Sequence, residues 1–149
     1  MSEIQDHGSP ALRIERTFAA PAQAVFDAWT SAEVLRRWWH AEHDWETPEA
    51  EVDLRIGGTI RLVMRNPVDG TEYGGSGEFT VIAPPRQLAF IWSWDDVPGR
   101  QLIELELNEH GGATTVVMTH HGIADDARGE TIEGWQNSFD NLDLALAGS

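Results

Sequence analysis

The chain has 149 residues, of which 41% are hydrophobic and 23% are charged, so one folded domain is expected rather than a disordered segment. The formal net charge is −15 and every basic residue is an arginine, and so acidic a surface repels nucleic-acid phosphates and anionic lipid headgroups. The absence of cysteine excludes disulfides, thiol nucleophiles and thiolate metal sites.

Residues 1–10 are predicted to be a flexible tail, and residues 11–147 to form the domain. The tail lacks the basic and apolar regions of a signal peptide, and no apolar run approaches the ~18 residues of a membrane span. We therefore expect a cytoplasmic protein with no membrane or nucleic-acid partner.

A strand and two short helices are predicted first. In "ALRIERTF" the apolar residues Leu12, Ile14 and Phe18 alternate, which indicates a half-buried strand. The spacing then changes to that of a helix in "APAQAVFDAWTSAEVLRRWW", where Thr30 or Ser31 can cap the second of two helices.

About six strand-like runs follow, with turn residues between them. "AEVDLRIGGTIRLVMRN" predicts a hairpin with a tight two-residue turn at Gly57-Gly58, within which Asp53 and Arg55 share one strand face. The three glycines of "YGGSGEF" predict a bulge or a sharp bend. "LAFIWSW", "QLIELELNE" and "TTVVMTHH" each alternate, which predicts an antiparallel meander.

The C-terminal segment predicts one long amphipathic helix. Its apolar residues recur at intervals of three and four: Ile132, Trp135, Phe139, Leu142 and Leu146. A single narrow stripe of this kind cannot fill the concavity of a strongly curved sheet. We therefore expect a ligand pocket between this helix and the sheet.

Several of these segments together resemble a known family. They are "RTFAAPAQAVFDAWTSAEVLRRWW", "VDLRIGGTIRLVMRNPVDG", "GEFTVIAPPRQLAFIWSW", "GGATTVVMTHHG" and the pair Gly134-Trp135. In this order they are similar to the activator of heat-shock-protein-90 ATPase-like family, a branch of the START-like (SRPBCC) superfamily of polyketide cyclases, lipid-transfer proteins and birch-allergen-like proteins. The resemblance implies an α+β helix-grip fold, in which a curved antiparallel sheet of seven strands wraps a long C-terminal helix around an apolar cavity.

The stretch "RRWWHAEHDW" is interpreted as the rim of that cavity, with its histidines at the wet edge. Adjacent Trp38 and Trp39 are not expected to point inward together, so one should anchor the helix and the other should meet solvent or ligand. The full set predicted to line the cavity is Trp38, Trp39, Trp45, Met64, Phe79, Phe90, Trp92, Trp94, Met118, His120, Trp135 and Phe139.

His120 is the weak candidate for a catalytic residue, because it shares strand parity with Met118 and should face the cavity near a strand end. A structural histidine is the alternative at this position. A catalytic His120 also needs an acid within reach, and no carboxylate close in the sequence is placed for this, although Asp140 lies one residue from the inward-facing Phe139. No metal site is predicted, since His40, Glu42 and His43 lack the spacing of a zinc site, and no cofactor is predicted either.

The leading hypothesis is a protein that binds a small apolar ligand, either lipid-like, aromatic or polyketide-like. One alternative is an acid–base enzyme of polyketide-cyclase or hydrolase type that uses the same cavity. The other, implied by the resemblance, is a module that activates a chaperone ATPase, with the chaperone as partner. An exposed tryptophan is also compatible with a homodimer.

Overall fold

The computed structural model describes residues 11–147, so the tail predicted for residues 1–10 lies outside the described residues. The elements in chain order are β1 (Leu12–Phe18), α1 (Ala22–Thr30), α2 (Ala32–Trp38), β2 (Glu46–Val52), β3 (Thr59–Arg65), β4 (Glu72–Ala83), β5 (Gln87–Trp94), β6 (Gln101–His110), β7 (Ala113–His121), a 3₁₀ turn (Asp125–Ala127) and α3 (Arg128–Ala147). No helix in residues 11–147 is both long enough and apolar enough to cross a membrane.

All seven strands form one antiparallel sheet in the order β1-β7-β6-β5-β4-β3-β2. Every neighbour from β2 to β7 is also a neighbour in the chain, as short turns favour, and β1 closes the order by pairing with β7. The α+β helix-grip fold with seven strands, two short helices after β1 and a long C-terminal helix is thereby confirmed.

Helix α3 covers one end of the concave sheet through aromatic contacts. Phe139 lies edge-on to Phe18 of β1, with ring centroids 5.7 Å apart. The ring of Trp29 of α1 also packs on Phe139, with centroids 6.2 Å apart. Trp29 and Phe18 are fully buried. This half of the concavity is filled by side chains, so the pocket lies toward the first half of α3.

A polar contact also joins α3 to β1. Arg16, which interrupts the apolar alternation of β1, donates to Asp140 at 2.6 Å and to Asp143 at 3.2 Å. Its guanidinium lies 5.9 Å from the ring centroid of Phe139. The residue that breaks the strand pattern thus binds the outer side of the helix.

The predicted two-residue turn at Gly57-Gly58 is wrong. Six residues, 53–58, connect β2 to β3, and only Gly57 of the pair has a positive φ, of 81°. A Cβ on Gly58 would lie 2.1 Å from the carbonyl oxygen of Asp53, so close backbone contact excludes a larger residue there. Asp53 and Arg55 do form an ion pair, at 2.9 Å, but in this connection rather than on a strand.

The glycines of β4 do not form the bulge predicted for them. The strand runs unbroken from Glu72 to Ala83, and its register shift lies further on, between Phe79 and Val81. The inner face at Gly75 is instead occupied by a neighbouring ring, since a Cβ there would lie 2.5 Å from Trp92. Gly75 gives this tryptophan room to lie flat against the sheet.

Candidate functional site

A pocket of about 280 Å³ lies between the first half of α3 and the concave face of the sheet. Strands β3, β5, β6 and β7, the loop after α2, and the start of α3 all contribute to it. Its lining residues are Trp39, His40, Ala41, Met64, Phe90, Trp92, Trp94, Gln101, Ile103, His120, Ala127, Glu130, Thr131, Gly134, Trp135 and Ser138.

Three indole rings form one side of the pocket, and we call Trp39, Trp92 and Trp94 the tryptophan wall. Trp39 stacks on Trp94 with centroids 6.0 Å apart, and it lies 5.6 Å from Trp92. The two strand tryptophans are perpendicular to each other at 5.4 Å. Such a wall offers flat apolar area to a ligand ring, with the indole N–H groups as polar edges.

The loop after α2 is fixed by α3. Ser138 Oγ donates to the carbonyl of His40 at 2.8 Å, and Asn137 Nδ2 donates to the carbonyl of Ala41 at 2.9 Å. The amide of Ala41 also lies 3.4 Å from the sulfur of Met64 on β3. These contacts hold Trp39 and His40 over the pocket.

Seven of the twelve residues predicted from the sequence line this pocket. They are Trp39, Met64, Phe90, Trp92, Trp94, His120 and Trp135. Their part in binding a ligand stays a prediction.

The other five lie away from the lining. Phe79, Met118, Phe139 and Trp38 are completely buried in the core, and Trp38 donates its indole N–H to the carbonyl of Ala28 at 2.9 Å. Trp45 instead stacks on Tyr73, with centroids 5.5 Å apart. The alternation of residues along a strand predicts which side chains point inward. It does not distinguish those that pack in the core from those that line the pocket.

The expectation that Trp38 and Trp39 cannot both point inward is wrong. Trp38 is completely buried and Trp39 is only 7% exposed. Helix α2 ends at Trp38, and the backbone of Trp39 leaves the helical conformation with φ −81° and ψ 81°. The change in direction sends the first ring toward α1 and the second toward the sheet.

His120 is held in a chain of three side chains. The indole N–H of Trp135 donates to its Nδ1 at 3.0 Å, and its Nε2 lies 2.6 Å from Oε1 of Gln101. An indole nitrogen can only donate, so we assign the proton of the neutral imidazole to Nε2, which then donates to Gln101. Both ring nitrogens are therefore occupied.

Burial and, to a smaller extent, the proximity of His121 together lower the pKa of His120 to about 4. A second proton would also have to sit on Nδ1, facing the N–H of Trp135. His120 therefore stays neutral at pH 7 and has no free lone pair to act as a base. Asp140, the acid considered for it, is paired with Arg16 instead.

His40 carries its proton on the other ring nitrogen than His120 does. The hydroxyl of Thr47 donates to the carbonyl of Trp39, so it can only accept from His40 Nδ1, which lies 3.0 Å away. We therefore assign the proton of His40 to Nδ1, which leaves Nε2 unprotonated and without a hydrogen-bond partner among residues 11–147. Burial lowers the pKa of His40, and the proximity of His43 adds to this effect. An acceptor nitrogen is thus available on a residue of the pocket lining.

Sequence reasoning did not select Gln101, Glu130 or Ser138 as lining residues. Gln101 could have been found, because it lies two residues before Ile103 and so shares its face of β6. Glu130 and Ser138 lie beside the apolar stripe of α3, and apolar periodicity gives no signal for polar residues there.

Residues 11–147 contain no group of three or more histidine, aspartate or glutamate side chains arranged to hold a metal ion. His43, from the same loop as His40, lies 3.1 Å from Asn141 Oδ1 and 3.7 Å from Asp140 Oδ2 on α3. These contacts again bind the loop to the helix.

The sequence profile described as Activator of Hsp90 ATPase homolog 1-like protein matches residues 19–147. The chain belongs to this family. The resemblance noted from the sequence is thereby confirmed. A comparison with curated proteins gave no match.

Solved structures of bacterial proteins share the fold. A protein from Chromobacterium violaceum superposes with a TM-score of 0.86 at 20% identity, over 92% of this chain and 96% of the other. A protein from Rhodobacter sphaeroides gives 0.82 at 28% identity, over 95% of each chain. The AHSA1 protein from Silicibacter pomeroyi gives 0.80 at 29% identity, over 92% of this chain and 97% of the other.

Proposed function

We propose that this protein binds a small apolar, aromatic ligand in the pocket between α3 and the sheet. The observation that carries the proposal is the tryptophan wall facing that pocket. Its volume of about 280 Å³ lies just below the ~300–1,000 Å³ typical of ligand pockets, which suits a compact ligand of about two fused rings. Family membership supports it, since folds of this superfamily commonly bind ligands in such a cavity.

Because the tryptophan wall faces the pocket, ligand binding should change the intrinsic tryptophan fluorescence of the protein. Titration with fatty acids, flavonoids and polycyclic aromatics, followed by tryptophan fluorescence, should give saturable quenching at micromolar concentrations of an aromatic ligand. The binding energy would come mostly from apolar area buried against the indole rings.

A substitution at Gly134 can fill the pocket without replacing a tryptophan. A Cβ at this position would meet only Ala41 at 3.4 Å, and both residues line the pocket. Gly134→Leu should fill the space and abolish the quenching. The matched control is Gly129→Leu on the same helix, where a Cβ would meet nothing within 4 Å. Equal binding by the two variants, or no response to any ligand class, would contradict the proposal.

The family description favours a second function, a chaperone partner. That interaction would use the surface, so Gly134→Leu should still bind and stimulate the chaperone ATPase while losing the small ligand. We do not propose the acid–base enzyme predicted as an alternative, because both nitrogens of His120 are engaged. The cytoplasmic location and the homodimer stay predictions.

A further inference from the structure

The donor–acceptor arrangement of the pocket selects the chemistry of its ligand. Since the neutral His120 donates from Nε2, the oxygen of Gln101 must be the atom facing it, and the amide nitrogen is turned away. This NH₂ group has no hydrogen-bond partner among residues 11–147. The indole of Trp135 fixes the tautomer of His120, and His120 in turn fixes the orientation of the Gln101 amide. The free NH₂ group of Gln101 is therefore oriented by Trp135.

The acceptor belongs to the loop after α2, which also lines the pocket. His40 is held by Thr47 through Nδ1, so its free nitrogen is Nε2. Both histidines of the lining are neutral at pH 7. One donor group and one acceptor atom are therefore available to a bound molecule, and neither carries a charge.

The charges near the pocket disfavour an anion. Glu130 lies on the lining, no arginine is among the lining residues, and the chain contains no lysine. The net charge of −15 adds a negative potential over the whole surface. A carboxylate entering the pocket would lose its hydration and gain no cationic partner there.

We propose that the pocket selects an uncharged aromatic ligand with both a hydrogen-bond acceptor and a donor, of which an aryl carboxamide is the simplest example, and that it rejects aryl carboxylates. The inference rests on the proposed function. The carbonyl of such a ligand accepts from the Gln101 amide, its N–H donates to His40 Nε2, and its ring lies on the tryptophan wall.

Three ligands of nearly equal size test this inference: naphthalene, 2-naphthamide and 2-naphthoate, with the protein titrated into each ligand by calorimetry at pH 7.5. We expect 2-naphthamide to bind about tenfold more tightly than naphthalene, as one or two hydrogen bonds would give. We expect 2-naphthoate to bind at least about tenfold more weakly than the amide.

Two variants separate the polar and the charge arguments. Gln101→Glu keeps an oxygen that accepts from His120 and removes the free donor, so the advantage of the amide over naphthalene should fall to about twofold or less. Glu130→Arg, at an exposed position of the lining, should tighten 2-naphthoate by about tenfold relative to naphthalene. Circular dichroism would establish that both variants fold.

The outcomes distinguish this inference from the proposed function. If naphthalene binds as tightly as 2-naphthamide, or if 2-naphthoate equals the amide, the inference is overturned and the pocket still binds aromatics. If none of the three binds, the proposed function fails and the inference fails with it.

Discussion

At the scale of single residues, the polar groups under α3 differ in how completely they are satisfied. His120 has both nitrogens occupied, whereas the indole N–H of Trp29 is buried without a hydrogen-bond partner among residues 11–147. A buried donor that lacks an acceptor costs about 1–3 kcal/mol of stability. The two residues therefore make opposite contributions to the folded state.

The pH dependence of stability should report on His120. Its pKa is about 4 in the folded protein and near 6.5 when unfolded, so between these values the unfolded chain binds the extra proton. Stability is therefore lost as the pH falls from about 6.5 to about 4, by roughly 3 kcal/mol for this residue. Urea unfolding from pH 7 to pH 4 should show a steeper loss in wild type than in His120→Leu, which has no group to titrate here. Equal slopes in the two proteins would contradict the low pKa of His120.

Trp29 and Trp38 provide a matched pair for the unpartnered donor. Both are buried and in contact, with ring centroids 4.8 Å apart, but only Trp38 has an acceptor for its N–H, the carbonyl of Ala28. Each Trp→Phe change removes similar volume. Trp38→Phe should cost about 1 kcal/mol more in free energy of unfolding than Trp29→Phe. Equal costs in urea titrations would mean that the N–H of Trp29 has an acceptor.

At the scale of elements, strands β4 and β5 together set the position of the tryptophan wall. Gly75 has no side chain, so Trp92 lies against the backbone of β4. Trp39 then packs on Trp92 from the loop after α2, which α3 fixes by its own hydrogen bonds. The wall is therefore assembled from three parts of the chain.

Gly75→Ala should disturb this assembly. The new Cβ would lie 2.5 Å from the Trp92 ring and 2.7 Å from the carbonyl oxygen of Ser93, so the ring or the strand must move. We expect a loss of about 1–3 kcal/mol in the free energy of unfolding and weaker binding of aromatic ligands. Gly129→Ala, in open space on α3, should instead stabilise by up to about 1 kcal/mol. Wild-type stability of Gly75→Ala would contradict the close contact.

At the scale of the whole molecule, sequence periodicity predicted most of the strands and helices, and the family resemblance predicted how they assemble into a seven-stranded helix-grip fold. The alternation in β1, β5, β6 and β7 and the stripe of α3 depend on local spacing, and both reappear in the structure. That Trp38 and Trp39 both point inward could not be predicted, because it follows from where α2 ends. The roles of Gln101 and His40 depend on partners in other elements, such as Trp135 and Thr47. Local patterns thus predict which residues face inward, and tertiary contacts decide which of them border the pocket.

The net charge of −15 should make stability depend on salt. Like charges repel most strongly when the chain is compact, and added salt screens this repulsion. We expect the Tm to rise between ~10 mM and ~0.5 M sodium chloride. The exposed double variant Glu51→Gln/Glu106→Gln should have a higher Tm at low salt and a smaller response. A Tm that falls with salt would instead indicate that surface ion pairs dominate.

Because Gly75 has no side chain, the size of the pocket depends on the strand that lies behind the Trp92 ring. Gly75 is not among the lining residues, yet it decides how far the Trp92 ring is set back, so the space in front of that ring can change while every lining side chain keeps its identity. The shape of the pocket can therefore change during evolution, or be redesigned, through the backbone face of β4. Comparing only the lining residues of related proteins would overlook such a change.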